Sequence, residues 1–391
     1  MQGVEISHCN AAIRAVLAAY NSVLGSTVEE ALRPILAYGK SDTLGLDAMP
    51  EITLVERLEQ YDKYAIVITE ECGSRESSHF TNTDDPRRFR TIFIADPTDR
   101  SDQLQKLLEG VTDRTKKVGE VLRDSESRKS WAEEFGAPVE ITGSTSAITC
   151  LRRGVPIFSV ILNYITQQLV VSCSAGIYVL AIPEELVNID LDFVRDRGRR
   201  LTFPSINALK TSDMRRFVTF MGSAGKKGYQ ENLQDSKLMS SAEQEEFLHY
   251  RSPGGPSRTL YLSDLQPKET PIGFVLANGE KIGEWIHWLP FVRFAKKSED
   301  ESLPALRLFE IYQDRPWTKE GILMSTPPAY SIFKPIGKDG DAVIDVSRFS
   351  AFPNPSRMRS TLLVTPCDNQ WATRVVNQYG YRPLILGDER E

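Results

Sequence analysis

Apolar positions recur at helical spacing over the first part of the chain. Ile13, Val16, Leu17, Tyr20 and Leu24 fall at i, i+3 and i+4, and Val28 to Leu36 continue the theme, so residues 4 to about 37 are expected to be helical. Gly39-Lys40-Ser41-Asp42 breaks that pattern. Asp47 then stands on the approach to a second amphipathic stretch through Ile52, Val55 and Leu58, which ends near Tyr61-Asp62. Two short apolar runs of strand length follow, Tyr64 to Thr69 and Thr91 to Ala95, separated by a polar loop from Cys72 to Arg90. Residues 102 to 135 are helical in pattern and charged. Ser144 to Leu151, Pro156 to Leu162, Gln168 to Ser172 and Ile177 to Ile182 read as an antiparallel meander, with Gly143, Gly154, Asn163 and Gly176 near the breaks. Residues 195 to 260 are polar and loop-like. Beyond 272 come strand, helix (about 283 to 297), the strands Leu306 to Tyr312 and Gly321 to Met324, a last strand at Ser360 to Thr365 and a helix at Gln370 to Tyr379.

The chemistry gathers at two strand ends. The run into Ala95 delivers Asp96-Pro97-Thr98-Asp99-Arg100-Ser101, two acids three residues apart with a hydroxyl close behind. The run into Thr69 delivers Glu70-Glu71. Buried strands that end in carboxylates can aim several oxygen ligands at one point, which suits a hard divalent cation. Such clusters usually serve phosphate chemistry. Each acid also has a plain structural reading. Asp-Pro-x-Asp can be a helix-capping turn, Glu70-Glu71 a solvated strand end, Asp47 an N-cap and Glu284 a surface acid.

Composition narrows the setting. The 391 residues are 41% hydrophobic and 26% charged, ordinary globular values. A formal net charge of -6 and a pI near 5.5 give no support to a nucleic-acid surface. Five dispersed cysteines without a CxxC pair, and no charged-then-apolar leader, lead us to expect reduced thiols and a cytoplasmic protein. The most apolar region, Val155 to Ile182, is broken by Asn163, Gln167 and Gln168, so no membrane span is expected. The Lys116-Lys117 and Arg128-Lys129 runs read as a solvated face. Gly222 to Gly228 lacks the Walker spacing and reads as a loop. The four histidines show no ligand spacing.

In order and spacing, Asp47, Glu70-Glu71, Asp96-Pro97-Thr98-Asp99 and the late Glu284 resemble the metal-dependent, often lithium-sensitive sugar-phosphate phosphatases. That superfamily includes inositol monophosphatase and fructose-1,6-bisphosphatase. The meander around Asn163-Tyr164 and Ala175 to Leu180 looks like that of the fructose-bisphosphatase branch. The resemblance spans roughly residues 35 to 330. It implies an α/β fold, a layered αβαβα sandwich. An N-terminal α+β domain, 1–200, would carry the metal motifs, and a C-terminal α/β domain, 201–391, would complete the active-site cleft. It implies two or three Mg²⁺ ions, with Mn²⁺ as a substitute, held by Glu70, Glu71, Asp96, Asp99, Glu284 and the Thr98 backbone carbonyl. Ser101 with Glu70 or Asp47 would activate water, and Arg100, Ser101 and the amides after Asp99 would meet the phosphate. The expected partner is a small phosphorylated sugar, polyol or nucleotide, with no nucleic acid and no membrane, and a homo-oligomer by analogy. Glu310 rivals Glu284 as the late acid, but Pro316 soon after it argues against the helix that the family has there.

The pattern is not complete. Arg100 stands where the family has Gly, Asp102 replaces a small hydroxyl residue, and Lys296-Lys297 replace a Gly-Gly pair. Two functions therefore compete. One is a metal-dependent phosphomonoesterase. The other is a catalytically silent relative that binds a phosphorylated ligand or a protein partner.

Overall fold

The structure is a computed structural model. It describes residues 3–36, 38, 42–63, 65–69, 73–74, 91–99, 101–135, 144–183, 188–203, 217–221, 273–278, 286–311, 316–317, 322–323, 333–336, 341–344, 360–367 and 381–386. The chain divides into two compact units, Met1–Arg200 and Leu201–Glu391. The chain is mixed α/β, as expected from the sequence, and each unit is taken by itself. Among the described residues no helix is long and apolar enough to cross a membrane.

The first unit opens with α1 (Gly3–Gly25), α2 (Val28–Leu32) and α3 (Gly45–Tyr61). The single helix expected to about residue 37 is therefore two. Thr27 stops the first and starts the second. Its hydroxyl accepts the Glu30 N–H at 3.1 Å, and the Glu30 carboxylate accepts the Thr27 N–H at 2.7 Å. That Thr-x-x-Glu capping box is a helix-start signal inside an otherwise continuous apolar pattern. On α1, Cys9, Ala12, Ile13, Val16, Ala19 and Val23 are fully buried against α3 and the sheet. Each larger member contributes about 1.5–3 kcal/mol by leaving water. The charged stretch after residue 100, expected to be helical, forms three helices: α4 (Ser101–Glu109), α5 (Val118–Arg123) and α6 (Ser125–Phe135).

The strands of this unit are β1 (Ile66–Thr69), β2 (Gly73–Ser74), β3 (Thr91–Asp99), β4 (Thr145–Arg152), β5 (Val155–Asn163), β6 (Gln168–Cys173) and β7 (Gly176–Ala181). After α7 (Leu191–Arg197), β8 (Arg199–Leu201) completes an eight-stranded sheet in the order β2-β1-β3-β4-β5-β6-β7-β8. β1 and β3 are parallel, with Thr69 opposite Ala95; β4 to β7 form the expected antiparallel meander, and β3 pairs antiparallel with β4 at its edge. Arg153 and Gly154 both have positive φ, 51° and 80°, which closes the β4–β5 hairpin in two residues. Two expectations change here. The stretch from Cys72 to Arg90, expected to be loop, contributes β2. β3 does not stop at Ala95 but runs through the acidic motif to Asp99.

Gly45, the first residue of α3, lies against the end of α2. A Cβ there would fall onto the Glu30 carbonyl oxygen, with the Ala31 oxygen close behind. Backbone cannot yield as a flexible side chain can. Gly45→Ala is expected to lower stability by about 1–3 kcal/mol, read as a drop in the thermal unfolding midpoint. Gly45→Ser should behave the same way.

The second unit contains β9 (Phe217–Met221), β10 (Gly273–Asn278), α8 (Leu289–Phe294), β11 (Leu306–Ile311), β12 (Pro316–Trp317), β13 (Ile322–Leu323), β14 (Phe333–Pro335), β15 (Asp341–Ile344), β16 (Ser360–Pro366) and β17 (Tyr381–Leu386). Seven of these strands form a mixed sheet ordered β14-β15-β17-β11-β16-β10-β9, and β12 pairs with β13. Phe291 meets Phe203 and Trp288 edge-on at 5.7 and 5.5 Å. The helix expected at Gln370 to Tyr379 and the loop from Gly222 to Gly228 lie outside the described residues.

Candidate metal centre at a bulged strand

On a regular strand, residues three apart point to opposite faces of the sheet. Asp96 and Asp99 escape this because β3 is bulged between them. Asp96 lies opposite Ala147 and Asp99 opposite Thr145, so three steps along β3 match two along β4. Ala147 and Thr145, two apart on a regular strand, share a face, and directly paired residues point the same way. The extra residue therefore brings both carboxylates onto one face. They are 2% and 6% exposed, withdrawn from bulk water. Pro97 sits within the bulge, where its missing N–H costs no ladder hydrogen bond.

The opposite face belongs to the helices. Phe93, at odd spacing from Asp96, packs against His8 of α1 with ring centroids 5.8 Å apart. On this side the bulge is held by hydroxyls. The Pro97 carbonyl accepts hydrogen bonds from Ser146 Oγ and from Tyr164 Oη, the latter at 2.8 Å. Ser146 Oγ and Tyr164 Oη are themselves 2.7 Å apart. Thr98 Oγ1 donates to the Leu46 carbonyl of α3 at 3.0 Å. That carbonyl is available because its helical partner would be the N–H of residue 50, and residue 50 is proline. Asp47 is the third residue of α3, and its carboxylate accepts the Leu44 N–H at 3.3 Å. This is a first-turn cap in which the Leu44 side chain has nothing to return.

Tyr164 reports on its surroundings. Burial pushes its phenol well above the ordinary range, and the negative charges of Asp96 and Asp47 push it further. The nearby hydroxyls of Ser146 and Thr98 pull the other way. Asp47 and Asp96 are thus both close enough to bear on one side chain, and Tyr164 remains an O–H donor throughout the physiological range.

Of the residues singled out in the sequence, the structure brings Asp47, Asp96, Thr98 and Asp99 into one neighbourhood, with Ser101 opening α4 just beyond. Glu70, Glu71, Arg100 and Glu284 lie outside the described residues. Glu310 lies in β11, paired with both β16 and β17. At the start of α4 the exposed Asp102 carboxylate accepts the Gln103 N–H at 2.9 Å, occupying an amide expected to face phosphate. Pro50, Ser146, Tyr164 and the Thr98 hydroxyl had no part in the sequence-based site. The signals were present, in a proline inside an apolar helical pattern and an Asn-Tyr pair closing a strand, but each reads as packing on its own.

Among the described residues no three His, Cys, Asp or Glu side chains come together as metal ligands. The donors that are present, two buried carboxylates and the main-chain oxygen of Thr98, are all hard oxygens. That fits Mg²⁺ or Mn²⁺ and not a thiophilic metal. Further acids follow directly in the chain, since Glu70 is the residue after Thr69 and Thr69 is in register with Ala95.

No protein-family model matches the chain, and no curated protein matches it. Solved structures do. The extragenic suppressor protein SuhB from Bartonella henselae is 13% identical with a TM-score of 0.47, the match covering 95% of this chain and 98% of that one. Inositol monophosphatase from Anabaena is 13% identical with a TM-score of 0.42, covering 95% of each chain. Fructose-1,6-bisphosphatase from Leishmania major is 9% identical with a TM-score of 0.47, covering 97% of this chain and 96% of that one.

Proposed function

We propose that the protein is a metal-dependent phosphomonoesterase acting on a small phosphorylated sugar, polyol or nucleotide. One observation carries this reading: a bulge that turns two buried carboxylates, Asp96 and Asp99, onto the same face of a sheet. Like charges held together away from water repel unless a cation or several donors compensate them. In this reading Asp96, Asp99 and the Thr98 carbonyl would hold the cation, together with Glu70, Glu71 and Glu284. A bound Mg²⁺ supplies Lewis acidity toward the phosphoryl group and a bound water of lowered pKa. Ser101 would orient a water through its hydroxyl, and Glu70 or Asp47 would accept its proton. Arg100 and Ser101 contact the phosphate. We take the protein to be cytoplasmic and to act in carbohydrate metabolism. Its partner would be the substrate, with neither nucleic acid nor membrane, and homo-oligomers would form.

A second reading, a phosphatase-like protein that binds a phosphorylated ligand or a protein partner without turnover, is favoured by Asp102. Its carboxylate occupies the Gln103 amide and adds negative charge where an anion would sit. Release of inorganic phosphate from a panel of sugar, inositol and nucleotide phosphates separates the two. The phosphatase reading expects Mg²⁺-dependent turnover of at least one member, reduced by lithium. Tight ligand binding with no turnover of any member would leave the silent reading.

A further inference from the structure

We infer that Ser146, Tyr164 and Thr98 act as positioning residues, a hydroxyl tie that fixes the acidic bulge from the helix side of the sheet and sets the ligand geometry on the other side. The inference rests on the metal-centre reading for its functional consequence, while its structural part stands independently. Three observations carry it. A bulge leaves a main-chain carbonyl outside the ladder, and here that carbonyl, of Pro97, accepts from both Ser146 and Tyr164. Pro50 leaves a second carbonyl without its helical donor, that of Leu46, and Thr98 supplies one. The three hydroxyls form one group, since Ser146 Oγ lies 2.7 Å from Tyr164 Oη and Thr98 is near enough to the same phenol to bear on its ionisation.

The tie therefore joins four pieces of chain: the bulge between the two acids, the start of α3 that carries Asp47, the start of β4 that carries Ser146, and the end of β5. All three hydroxyl-bearing residues are buried, Tyr164 at 1%, Ser146 at 0% and Thr98 at 6% exposure, so water cannot readily replace a lost partner. The tied residues are Pro97, between the acids, and Thr98, whose own carbonyl is one of the candidate ligands. A small rotation of this pair would change the separation of the Asp96 and Asp99 carboxylates. Removing a supporting hydrogen bond around a metal ligand typically costs 10- to 100-fold in metal affinity.

The test compares the wild type with Tyr164→Phe, Thr98→Val and the hydroxyl-keeping Thr98→Ser, using Mn²⁺ alone as the probe. Dissociation constants are expected to rise by roughly 10- to 100-fold in Tyr164→Phe and Thr98→Val, and by no more than about twofold in Thr98→Ser. Hydrogen exchange of the amides of Asp96, Thr98 and Asp99 should quicken in the first two variants while exchange in β6 and β7 is unchanged. Pro50→Ala supplies a new N–H to Leu46, so Thr98→Val should lose most of its effect on the thermal midpoint in that background. Unaltered exchange at Asp96, Thr98 and Asp99 in Tyr164→Phe, or an undiminished Thr98→Val effect in Pro50→Ala, would overturn the tie. A wild type that shows the exchange pattern but binds no Mn²⁺ would keep the tie and remove the metal-centre reading.

Discussion

Asp96→Asn should lose more than roughly 100-fold of the Mg²⁺-dependent phosphate release while the protein stays folded. Losing only the hydrogen-bond partner of a ligand typically costs 10- to 100-fold, so losing the ligand charge itself should exceed that. The Asn side chain matches Asp in shape and keeps the amide-sized volume that the buried position requires, where Asp96 is 2% exposed. Far-UV circular dichroism should therefore be unchanged. A second readout is independent of turnover. A cation bound only by the native state stabilises it by RT ln(1 + [L]/Kd), about 2.7 kcal/mol at a concentration 100 times Kd. The wild type should gain several degrees in its unfolding midpoint on addition of Mg²⁺, and Asp96→Asn should gain almost nothing. An Asp96→Asn protein with undiminished activity would show that the bulge is only a structural feature of β3.

The second unit should be acid-labile because of His287. Its imidazole is 3% exposed, and burial pushes its pKa down to about 3. The ordinary value in the unfolded chain is about 6.5. The unfolded state thus binds a proton more readily than the native state below that value. The stability associated with neutral His287 is complete above about pH 6.5 and declines as pH falls from there toward 3. The slope is about 1.4 kcal/mol per pH unit, so by pH 4.5 roughly 2–3 kcal/mol is gone. Calorimetric unfolding of the wild type and of His287→Leu across pH 7 to 4 should show the wild-type midpoint falling more steeply as pH falls. Parallel curves would mean that protonation of His287 does not drive the acid lability.

How much of this could be read from the chain depends on whether a signal was local. The meander from Thr145 to Ala181 was legible because its apolar runs are of strand length and its turns carry Gly154 and Gly176, both with positive φ. The amphipathic helix after residue 45 was legible for the same reason. The break at Thr27 was also local, but the apolar period on either side concealed the capping box. The site divides in the same way. The acids of Asp-Pro-x-Asp are conspicuous in one dimension, yet their spacing of three is wrong for a shared face on a regular strand. Only pairing with β4 reveals the bulge that corrects it. Pro50 and Thr98 are 48 positions apart in sequence and meet only through the Leu46 carbonyl, and Tyr164 reaches Pro97 across 67 residues. Hydrogen bonds of that kind leave no periodicity and no motif.

The most direct test of the metal centre is the binding of Mn²⁺ to the metal-free full chain, followed by electron paramagnetic resonance. The wild type should show saturable binding that Mg²⁺ displaces. Asp96→Asn and Asp99→Asn should each remove it, because the bulge places both carboxylates on one face. Mn²⁺ binding that survives unchanged in both variants would contradict the account, as would a wild type with no saturable site.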